Sequence, residues 1–326
     1  MQRFELPQVR DFFRGRDRFL ILTHKRCDGD TLGSAAALCR GLRSVGKTAF
    51  VAPNEDETPR LRFLCDGLLA PAEFAPETVV AVDVADESML PPSMAAYRGR
   101  VDLVLDHHGT NRQYARAGLV RPSACAGGEI VFQVLELLGA AFDRDTWAAL
   151  YTAVSTDTGC FKFSNTTPLA HQIGAGAIAN GINFLKINRE FFEKKSHARF
   201  ELERALFDGL RFSADGRVCG SVLTRAHIDG ARANGDDLDN LSTLTMALEE
   251  VLVGIVLTQN KDGSYKVSVR SHRPVDASAI CGRFGGGGHP RASGCTVEGD
   301  GAEGLARLMA AAAEQIAATD LSTAEL

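Results

Sequence analysis

The sequence has no long apolar segment and no export signal. Among its 326 residues there is no stretch of about 18 uncharged apolar residues, and residues 1–20 contain no continuous apolar run. A transmembrane helix and a signal peptide both require such a run, because each must present uninterrupted hydrocarbon surface. We therefore expect no membrane partner and a cytoplasmic location.

Closely paired cysteines are also missing. The chain has eight cysteines, but they are scattered and none belongs to a C-x-x-C pair. Zinc fingers and small disulfide-bonded scaffolds depend on cysteines at short, regular spacings. The pattern therefore argues against both classes of protein and favours reduced thiols.

An excess of positive charge is absent as well. The chain carries 36 Lys and Arg residues against 41 Asp and Glu residues, for a formal net charge of −5. Affinity for long nucleic acids comes largely from neutralising many phosphates with basic side chains. We therefore expect no long nucleic acid as a partner, whereas a short phosphorylated ligand stays open.

What is present is an ordinary globular composition with a clear alternation of elements. Apolar residues make up 45% of the chain and charged residues 24%, which is typical of folded domains. Apolar strand-like runs alternate with helical patterns in the first part, which is typical of a doubly wound parallel sheet. The predicted strands are 19–23, 48–52, 79–84 and 101–106, and the predicted helices are 31–45, 127–138, 147–155 and 168–179.

The second part predicts a smaller α/β domain with a mixed sheet. Its predicted strands are 218–224, 252–259 and 265–270, with helices that end at 250 and span 276–283 and 302–318. A turn at Lys-Asp-Gly joins the last two strands into a hairpin. We therefore divide the chain into a catalytic domain at 1–186, a helical linker at 187–212 and a substrate-binding domain at 213–326.

The most informative residues are acids and histidines that follow apolar runs. The segments THKRCDGD, VVAVDVAD, LDHHGTN and YTAVSTDTG all share this pattern. Ligands bind beyond the carboxyl ends of the strands in an open parallel sheet, so we expect these side chains to meet there. The side chains are His24, Asp28, Asp30, Asp83, Asp106, His107, His108 and Asp157.

Several of these residues have a simpler alternative role when each is considered alone. Asp30 could cap the helix that follows it, His24 could be a partly buried structural histidine, and Asp106 to His108 could form a polar turn. Their joint occurrence favours a metal site. Unscreened carboxylates about 4 Å apart repel by roughly 4 kcal/mol at an effective dielectric constant of 20, so cations would be needed to hold them together.

The ligand types favour a particular metal chemistry. Carboxylates with two or three imidazoles and no thiolate suit Mn²⁺ better than Mg²⁺ or Fe²⁺, and all of these better than structural zinc. So many ligands suggest two ions that share one carboxylate. Two ions about 3.5–4 Å apart can activate a water and stabilise a phosphoryl displacement.

A glycine run with basic neighbours predicts an anion-binding loop in the second part. The run Gly285 to Gly288 precedes His289, and Arg291 follows, with Arg270 nearby in the hairpin. Bare glycine backbone lets a phosphate approach its N–H groups, and the basic side chains can add charged contacts. The run is not a P-loop, since no Gly-Lys-Ser/Thr follows it. A flexible linker and a solvated basic face are the alternatives.

Two aromatic side chains follow the last acidic segment. Phe161, Phe163 and Asn165 could meet a nucleobase by stacking, although core packing is expected for at least one of the two phenylalanines. Cys27 and Cys160 lie beside proposed ligands, and we expect them to be inert packing residues.

Taken together, these segments resemble the DHH phosphoesterase superfamily in its DHH–DHHA1 branch, and specifically the bifunctional oligoribonucleases that also act as phosphoadenosine-phosphate (PAP) phosphatases. The resemblance runs through nearly the whole chain, in family order. It rests on THKRCDGDTLGS, VVAVDVAD, LDHHGTN, LYTAVSTDTGCFKFSNTTP, KVSVRS and FGGGGHPRASGC.

The resemblance implies roles for individual residues. One manganese ion would be bound by His24, Asp28 and Asp83. The other would be bound by Asp30, Asp83, His107 and Asp157, with Asp83 as the bridge. Asp106 would orient its neighbour, and His108 would face the reacting phosphate. The substrate-binding positions would be Arg270, Ser271, Gly287, Gly288 and His289, to which we add Arg291 from the basic residues around the glycine run.

The sequence departs from the family pattern in three places. Cys27 stands where the family usually has Pro, and Ala292-Ser293 stands where many members have Ala-Ala. The segment RPSACAGGE at 121–129 differs from the more usual DPSASST-E form. No departure removes a proposed metal ligand, but the last one concerns the substrate pocket.

The implied function is a manganese-dependent phosphodiesterase that cleaves RNA of about two to five nucleotides to mononucleotides and converts PAP to AMP. The alternatives are a phosphodiesterase for the linear dinucleotides pApA and pGpG, an inorganic pyrophosphatase, and a non-catalytic nucleotide sensor. Short oligoribonucleotides and small nucleotides are the expected partners. A homodimer is compatible with the sequence.

Overall fold

The computed structural model describes residues 1–323 and divides the chain into two compact units. The first unit spans Met1–Lys194, and the second begins at Lys195. Within the described residues, no helix has the length and apolar character that crossing a membrane requires. Each unit is built on its own six-stranded sheet.

The sheet of the first unit is parallel throughout. Its strand order is β1-β6-β5-β4-β2-β3, and every neighbouring pair runs in the same direction. The strands are β1 (Gln2–Arg3), β2 (Phe19–Leu22), β3 (Ala49–Val51), β4 (Thr78–Val82), β5 (Leu103–Asp106) and β6 (Ala117–Val120). The helices are α1 (Leu6–Arg14), α2 (Gly29–Ser44), α3 (Gly127–Leu138), α4 (Arg144–Asp157), α5 (Pro168–Ala179) and α6 (Phe184–Asn188).

Both faces of this sheet are covered, which explains why its strands are apolar without interruption. Successive strand residues point to opposite faces. In β2, Phe19 and Ile21 join one buried cluster, whereas Leu20 and Leu22 join another. A sheet buried on both sides needs near-continuous apolar strands. The predicted doubly wound fold is confirmed.

α2 and α4 pack closely against each other in this unit. A side chain on Gly33 would have its Cβ 2.6 Å from the carbonyl oxygen of Ala149. Because Gly33 has no side chain, the two helices can approach each other more closely than larger residues would allow. This approach brings the C-terminus of α4 next to the N-terminus of α2.

The second unit contains the smaller, mixed sheet that the sequence predicts. Its strand order is β11-β12-β10-β9-β8-β7, in which only β8 and β9 are parallel neighbours. The strands are β7 (Arg211–Phe212), β8 (Val218–Leu223), β9 (Val253–Gln259), β10 (Tyr265–Ser271), β11 (Gly287–His289) and β12 (Ala292–Val297). The helices are α7 (His197–Asp208), α8 (Arg225–Gly230), α9 (Ala277–Gly282) and α10 (Gly301–Ala317).

Two local predictions for this unit are wrong. The helix expected to end at Glu250 is a 3₁₀ segment, Leu241–Ala247. Its hydroxyl side chains compete with a regular α-helix, since Thr243 and Thr245 donate to the carbonyls of Asn240 and Ser242. The glycine run is not wholly a loop either, because part of it forms β11 and pairs with β12.

Candidate metal centre

Three adjacent strands of the first sheet deliver histidine and aspartate side chains to one edge. β5, β4 and β2 lie side by side and parallel, so their carboxyl ends coincide. His24 lies two residues beyond β2, and Asp83 directly follows β4. Asp106 is the last residue of β5, with His107 and His108 after it. This edge is where open parallel sheets bind ligands.

The start of α2 supplies two more carboxylates in different ways. Asp28 is the residue that caps the helix, and its Oδ1 accepts hydrogen bonds of 3.0 Å from the backbone N–H groups of Asp30 and Thr31. Asp30 lies inside the first turn, so the cap that the sequence allowed for Asp30 belongs to Asp28 instead. A cap leaves the second carboxylate oxygen available for other contacts.

Asp157 reaches the site from a helix rather than from a strand. The sequence predicts a helix at 147–155, and the structure has α4 there, with Asp157 as its last residue. The apolar residues before it are buried because α4 packs against α2, α3 and α5.

His24, Asp28 and Asp83 form the first group of converging side chains. The Nε2 atom of His24 lies 3.7 Å from Oδ1 of Asp28 and 3.4 Å from Oδ2 of Asp83. All three ligand atoms fall within 4.8 Å of one another.

Asp30, His107 and Asp157 form the second group. The Nε2 atom of His107 lies 3.6 Å from Oδ2 of Asp30 and 3.3 Å from Oδ2 of Asp157. It also lies 3.3 Å from Oδ1 of Asp83. The carboxylate of Asp83 thus has one oxygen beside each group.

These separations suit ion coordination better than direct hydrogen bonding. Ligand atoms about 2.1 Å from one ion lie roughly 3.0–3.4 Å apart at octahedral or tetrahedral angles, whereas N–H···O hydrogen bonds favour about 2.9 Å. Asp83 Oδ1 is buried and makes no hydrogen bond within the described part of the chain. Leaving a buried carboxylate oxygen without a partner costs free energy. A cation bound at Asp83 Oδ1 would supply that partner.

Asp83 also has an unusual backbone conformation. Its φ angle is +57°, in the left-handed region that residues other than glycine seldom adopt. The backbone N–H of Asp83 donates to the carbonyl of Leu105 at 2.9 Å, and Thr31 donates through Oγ1 to the carbonyl of Val82 at 3.1 Å. Strained conformations of this kind persist where the surroundings enforce them, which is common at functional sites.

Asp30 is held in place by the start of α3. Its Oδ2 accepts from the backbone N–H of Gly127 at 2.6 Å, and its Oδ1 accepts from Gly128 at 3.0 Å and from Oγ of Ser34 at 2.9 Å. The N-terminus of a helix favours negative charge, because its N–H groups are free and its dipole is positive there. The segment that departs from the family pattern therefore positions a candidate ligand.

The titration behaviour reflects how crowded these carboxylates are. Burial raises the pKa of Asp30 well above its usual range, and the charges of Asp83 and Asp157 add to the effect. Burial, together with the charge of Asp83, raises the pKa of Asp157 to about 7. Such repulsion among buried acids is relieved by positive charge in their midst.

The two histidines nearest to these acids respond in the opposite sense. Burial opposes their charged forms, yet contact with Asp83 and neighbouring acids raises the pKa of His24 to about 9 and that of His107 to about 10. Burial raises the pKa of the Cys27 thiol to about 12, so this thiol stays protonated. The ligand set is therefore carboxylate and imidazole without thiolate, which suits Mn²⁺, Mg²⁺ or Fe²⁺.

Asp106 lies outside the groups of candidate ligands among the described residues, and it contacts His108 instead. It is completely buried. Its Oδ1 lies 2.8 Å from Nδ1 of His108, and its Oδ2 accepts from Nδ2 of Asn111 at 2.6 Å. The hydrogen bond to Asp106 raises the pKa of His108. The His108 ring is partly exposed and lies 3.4 Å from Asp83 Oδ1 through Nδ1.

Sequence reasoning missed a supporting loop beneath the second group. The Nδ1 atom of His107 lies 3.3 Å from the carbonyl of Ala124, and Asn165 donates to the carbonyls of Cys125 and Asp157 at 3.1 and 3.2 Å. The buried Glu129 accepts from the Cys125 N–H at 3.2 Å and from Thr167 at 2.6 Å. The signals for it in the sequence were Glu129 inside the segment 121–129 and Asn165 after Asp157.

The second unit places the predicted anion-binding residues around β12. Arg270 on β10 and His289 on β11 both pair with Ala292, from opposite sides. Directly opposed residues in antiparallel strands point to the same face. The two basic side chains thus share one face, with their strands separated by about 9–10 Å.

The remaining predicted residues of this region differ in how accessible they are. Gly287, Gly288 and His289 are exposed, and Arg291 is half-buried with Nη1 unpaired among the described residues. Ser271 is buried, and its hydroxyl donates to the carbonyls of Val275 and Pro290 at 2.8 and 3.0 Å. Ser271 therefore fastens the neighbouring loops together.

Comparison with known proteins matches both halves of the chain. Residues 18–154 match the DHH family, N-terminal domain, and residues 215–318 match the DHHA1 domain. The first match contains every candidate metal ligand except Asp157. The second contains Arg270, Ser271 and the glycine strand.

Two curated relatives and one solved structure extend these matches. The bifunctional oligoribonuclease and PAP phosphatase NrnA of Thermus thermophilus is 32% identical over 86% of this chain and 84% of its own length. The protein of the same name from Bacillus subtilis is 24% identical over 86% of this chain and 90% of its own length. An exopolyphosphatase-related protein from Bacteroides fragilis shares the fold, with a TM-score of 0.82 at 20% identity and 95% coverage of each chain. The chain therefore belongs to the DHH family of phosphoesterases, and it carries both the DHH and the DHHA1 domain.

Proposed function

We propose that this chain is a manganese-dependent phosphodiesterase that hydrolyses very short RNA to mononucleotides and converts PAP to AMP. The proposal rests on one observation above all, the carboxylate of Asp83 shared between two groups of ligand side chains. The relatives named as oligoribonucleases and PAP phosphatases support the choice of substrate.

In the proposed reaction, a water oxygen attacks phosphorus, and the bond from phosphorus to the leaving ribose oxygen breaks. We propose that His24, Asp28 and Asp83 hold one divalent ion, while Asp30, Asp83, His107 and Asp157 hold the other. Two ions so placed supply Lewis acidity, which activates the water and offsets charge on the phosphoryl group. The donor set supports Mn²⁺ over zinc.

We assign His108 to the substrate phosphate. Its Nδ1 faces Asp106, which fixes the orientation of the ring, and its partly exposed position leaves Nε2 available to a ligand. The raised pKa favours a protonated ring, which can donate to a phosphate oxygen or protonate the leaving alkoxide. Asp106 would act as the residue that positions His108.

The second unit would bind the remaining phosphate of a short substrate. Arg270, His289 and Arg291 supply the charge, and the exposed backbone of Gly287 and Gly288 leaves room for an anion. A few basic groups suffice for a ligand with one or two further phosphates. They do not suffice for a long polynucleotide, given the net charge of −5.

A side-by-side hydrolysis assay tests this proposal. The purified chain would be incubated with Mn²⁺ and, separately, a diribonucleotide, an RNA of about 20 nucleotides, PAP, pApA, pGpG and pyrophosphate. We expect the diribonucleotide and PAP to be hydrolysed fastest. A preference for the long RNA would overturn the short-substrate assignment, and a preference for pyrophosphate would overturn the phosphodiesterase assignment.

The identity of the metal needs a separate comparison. After chelation and dialysis, the same assay would be repeated with Mn²⁺, Mg²⁺, Fe²⁺ or Zn²⁺ added back. We expect the highest kcat with Mn²⁺, because the mixed carboxylate and imidazole donors suit it best. Full activity in the presence of a chelator would contradict the metal assignment.

A further inference from the structure

An exposed aromatic side chain follows the candidate ligand Asp157 closely along the chain. Phe163 lies six residues after Asp157, and 57% of its surface is exposed. Large apolar side chains are normally covered on folding, because burial removes their surface from water. What distinguishes Phe163 from other exposed phenylalanines is its attachment beside Asp157, since its N–H donates to the carbonyl of Thr158.

The backbone between Asp157 and Phe163 is unusually strained. Gly159, Cys160 and Phe161 follow one another with φ angles of +56°, +59° and +62°. Left-handed residues other than glycine are uncommon, and consecutive ones are costly. This turn directs the chain back over α4, so that residues 162–165 lie close to the end of that helix.

The two phenylalanines of the turn have different environments. Phe161 packs into the core, where its ring contacts Tyr151 at 5.9 Å and stacks on His171 at 5.3 Å between ring centroids. The ring of Phe163 instead covers the buried Gly159, where an added Cβ would overlap it. One face of Phe163 thus rests on bare backbone, while the rest of the ring faces solvent.

The position of Phe163 is fixed by hydrogen bonds on both sides of its backbone. Its N–H donates to the carbonyl of Thr158 at 3.0 Å, and its carbonyl accepts from the N–H of Thr166 at 3.0 Å and from Oγ1 of Thr166 at 2.7 Å. Asn165 ties the same segment to the carbonyl of Asp157. The backbone that carries the ring is therefore held in a set place, as preorganised binding requires.

We infer that Phe163 is a stacking platform for a nucleobase of the substrate, next to the phosphate that is cleaved. The inference rests on the proposed function, and it makes that function more specific. Aromatic rings stack on any base without regard to sequence, because every base has a π-face. The site would then select nucleoside-containing phosphates over inorganic or sugar phosphates.

Kinetics with matched substrates test this inference. Replacing Phe163 with Ala should raise KM for PAP about 5- to 100-fold, the equivalent of about 1–3 kcal/mol per stacked base. KM for ribose 3,5-bisphosphate, which lacks the base, should stay the same. Phe163→Tyr should restore KM for PAP, because the ring is retained.

A phenylalanine of matched exposure provides the control. Phe200 is 58% exposed and lies on α7 of the second unit, so Phe200→Ala should leave both KM values unchanged. If Phe163→Ala changes neither KM, or raises both equally, the stacking role is wrong.

A binding measurement separates this inference from the proposed activity. The chain has one tryptophan, Trp147, so Phe163→Trp adds a single new fluorophore whose signal is obtained by subtracting wild type. We expect AMP to quench this added emission and ribose 5-phosphate not to, with Phe200→Trp insensitive to both. The readout needs no turnover, so quenching would support the platform even in an inactive enzyme. Equal responses to AMP and ribose 5-phosphate, or no response, would overturn it.

Discussion

Asp83 combines features that are individually costly. It is almost fully buried, its φ angle is positive, and Oδ1 has no hydrogen-bond partner within residues 1–323. Each feature destabilises the protein without a cation, because the carboxylate is desolvated and the backbone is strained. Their coincidence in one residue is what a bridging ligand would produce.

Substitution of Asp83 tests this role at the level of one residue. Asp83→Ala should lower kcat for a diribonucleotide at least about 10³-fold, since both ions would lose a shared ligand. The fold should be retained, because the substitution leaves the buried apolar strands of the sheet unchanged. Activity is measured by product release, and folding by circular dichroism.

A surface carboxylate provides the control for that substitution. Asp66 is exposed in the same unit, so Asp66→Ala should retain wild-type kcat. An Asp83→Ala variant with kcat within tenfold of wild type would remove the bridging assignment.

Arg270 allows a corresponding test in the second unit. Its guanidinium is partly buried, and this burial lowers its pKa, so an anion would be a favourable partner. Arg270→Ala should raise KM for PAP about 10- to 100-fold with little change in kcat, because charge-assisted hydrogen bonds contribute about 1.5–3 kcal/mol. Steady-state kinetics measure both constants.

The matched control for Arg270 is an exposed arginine of the same unit. Arg217 is exposed just before β8, so Arg217→Ala should not change KM. An unchanged KM in Arg270→Ala would show that Arg270 does not bind the substrate anion.

Sequence identified the candidate ligands but not their conformations. Asp83, Asp106 and the paired histidines could be located because polar residues directly follow apolar strands. The left-handed backbone of Asp83 and the exposure of Phe163 could not be predicted from the sequence. Both depend on contacts between segments far apart in sequence, which local patterns do not encode.

Among the elements, α3 has the most direct influence on the candidate centre. Its first two N–H groups, from Gly127 and Gly128, hold the carboxylate of Asp30. An added Cβ on Gly128 would lie 2.6 Å from Cβ of Ala153. Any side chain at this position would push the start of α3 away from α4.

Gly128→Ala tests the importance of that contact. Overpacking should destabilise the protein by about 1–3 kcal/mol, and displacement of the N–H donors should weaken Mn²⁺ binding about 10- to 100-fold. Urea denaturation measures the first effect and metal titration the second. Gly230 has open space around its Cα, so Gly230→Ala should leave Mn²⁺ affinity unchanged. Wild-type Mn²⁺ affinity in Gly128→Ala would contradict the role of α3.

Elements could be predicted where local pattern and burial agree. The span of α3 matches its prediction, Gly127–Leu138, because apolar residues recur at helical spacing and Gly139 ends the helix with a φ of +70°. The prediction of a helix that ends at Glu250 was wrong, because hydroxyl residues favour 3₁₀ turns there. The helix expected at 147–155 is present within α4, which ends at Asp157.

At the scale of the whole molecule, the two units have complementary chemistry. The first contains the acidic groups that suit cations, and the second contains the basic groups that suit a phosphate. The fold class could be predicted from the alternation of strands and helices, which is typical of a doubly wound parallel sheet. The substrate could not be read from the fold, because one fold hosts many activities.

The most direct test of the account is to locate Mn²⁺ in crystals of the wild-type chain. An anomalous difference map should show two peaks about 3.5–4 Å apart. One should lie beside His24 and Asp28, the other beside Asp30, His107 and Asp157, with Asp83 between them. A map with no peak, or with a single peak that Asp83 does not contact, would contradict the proposed two-ion centre.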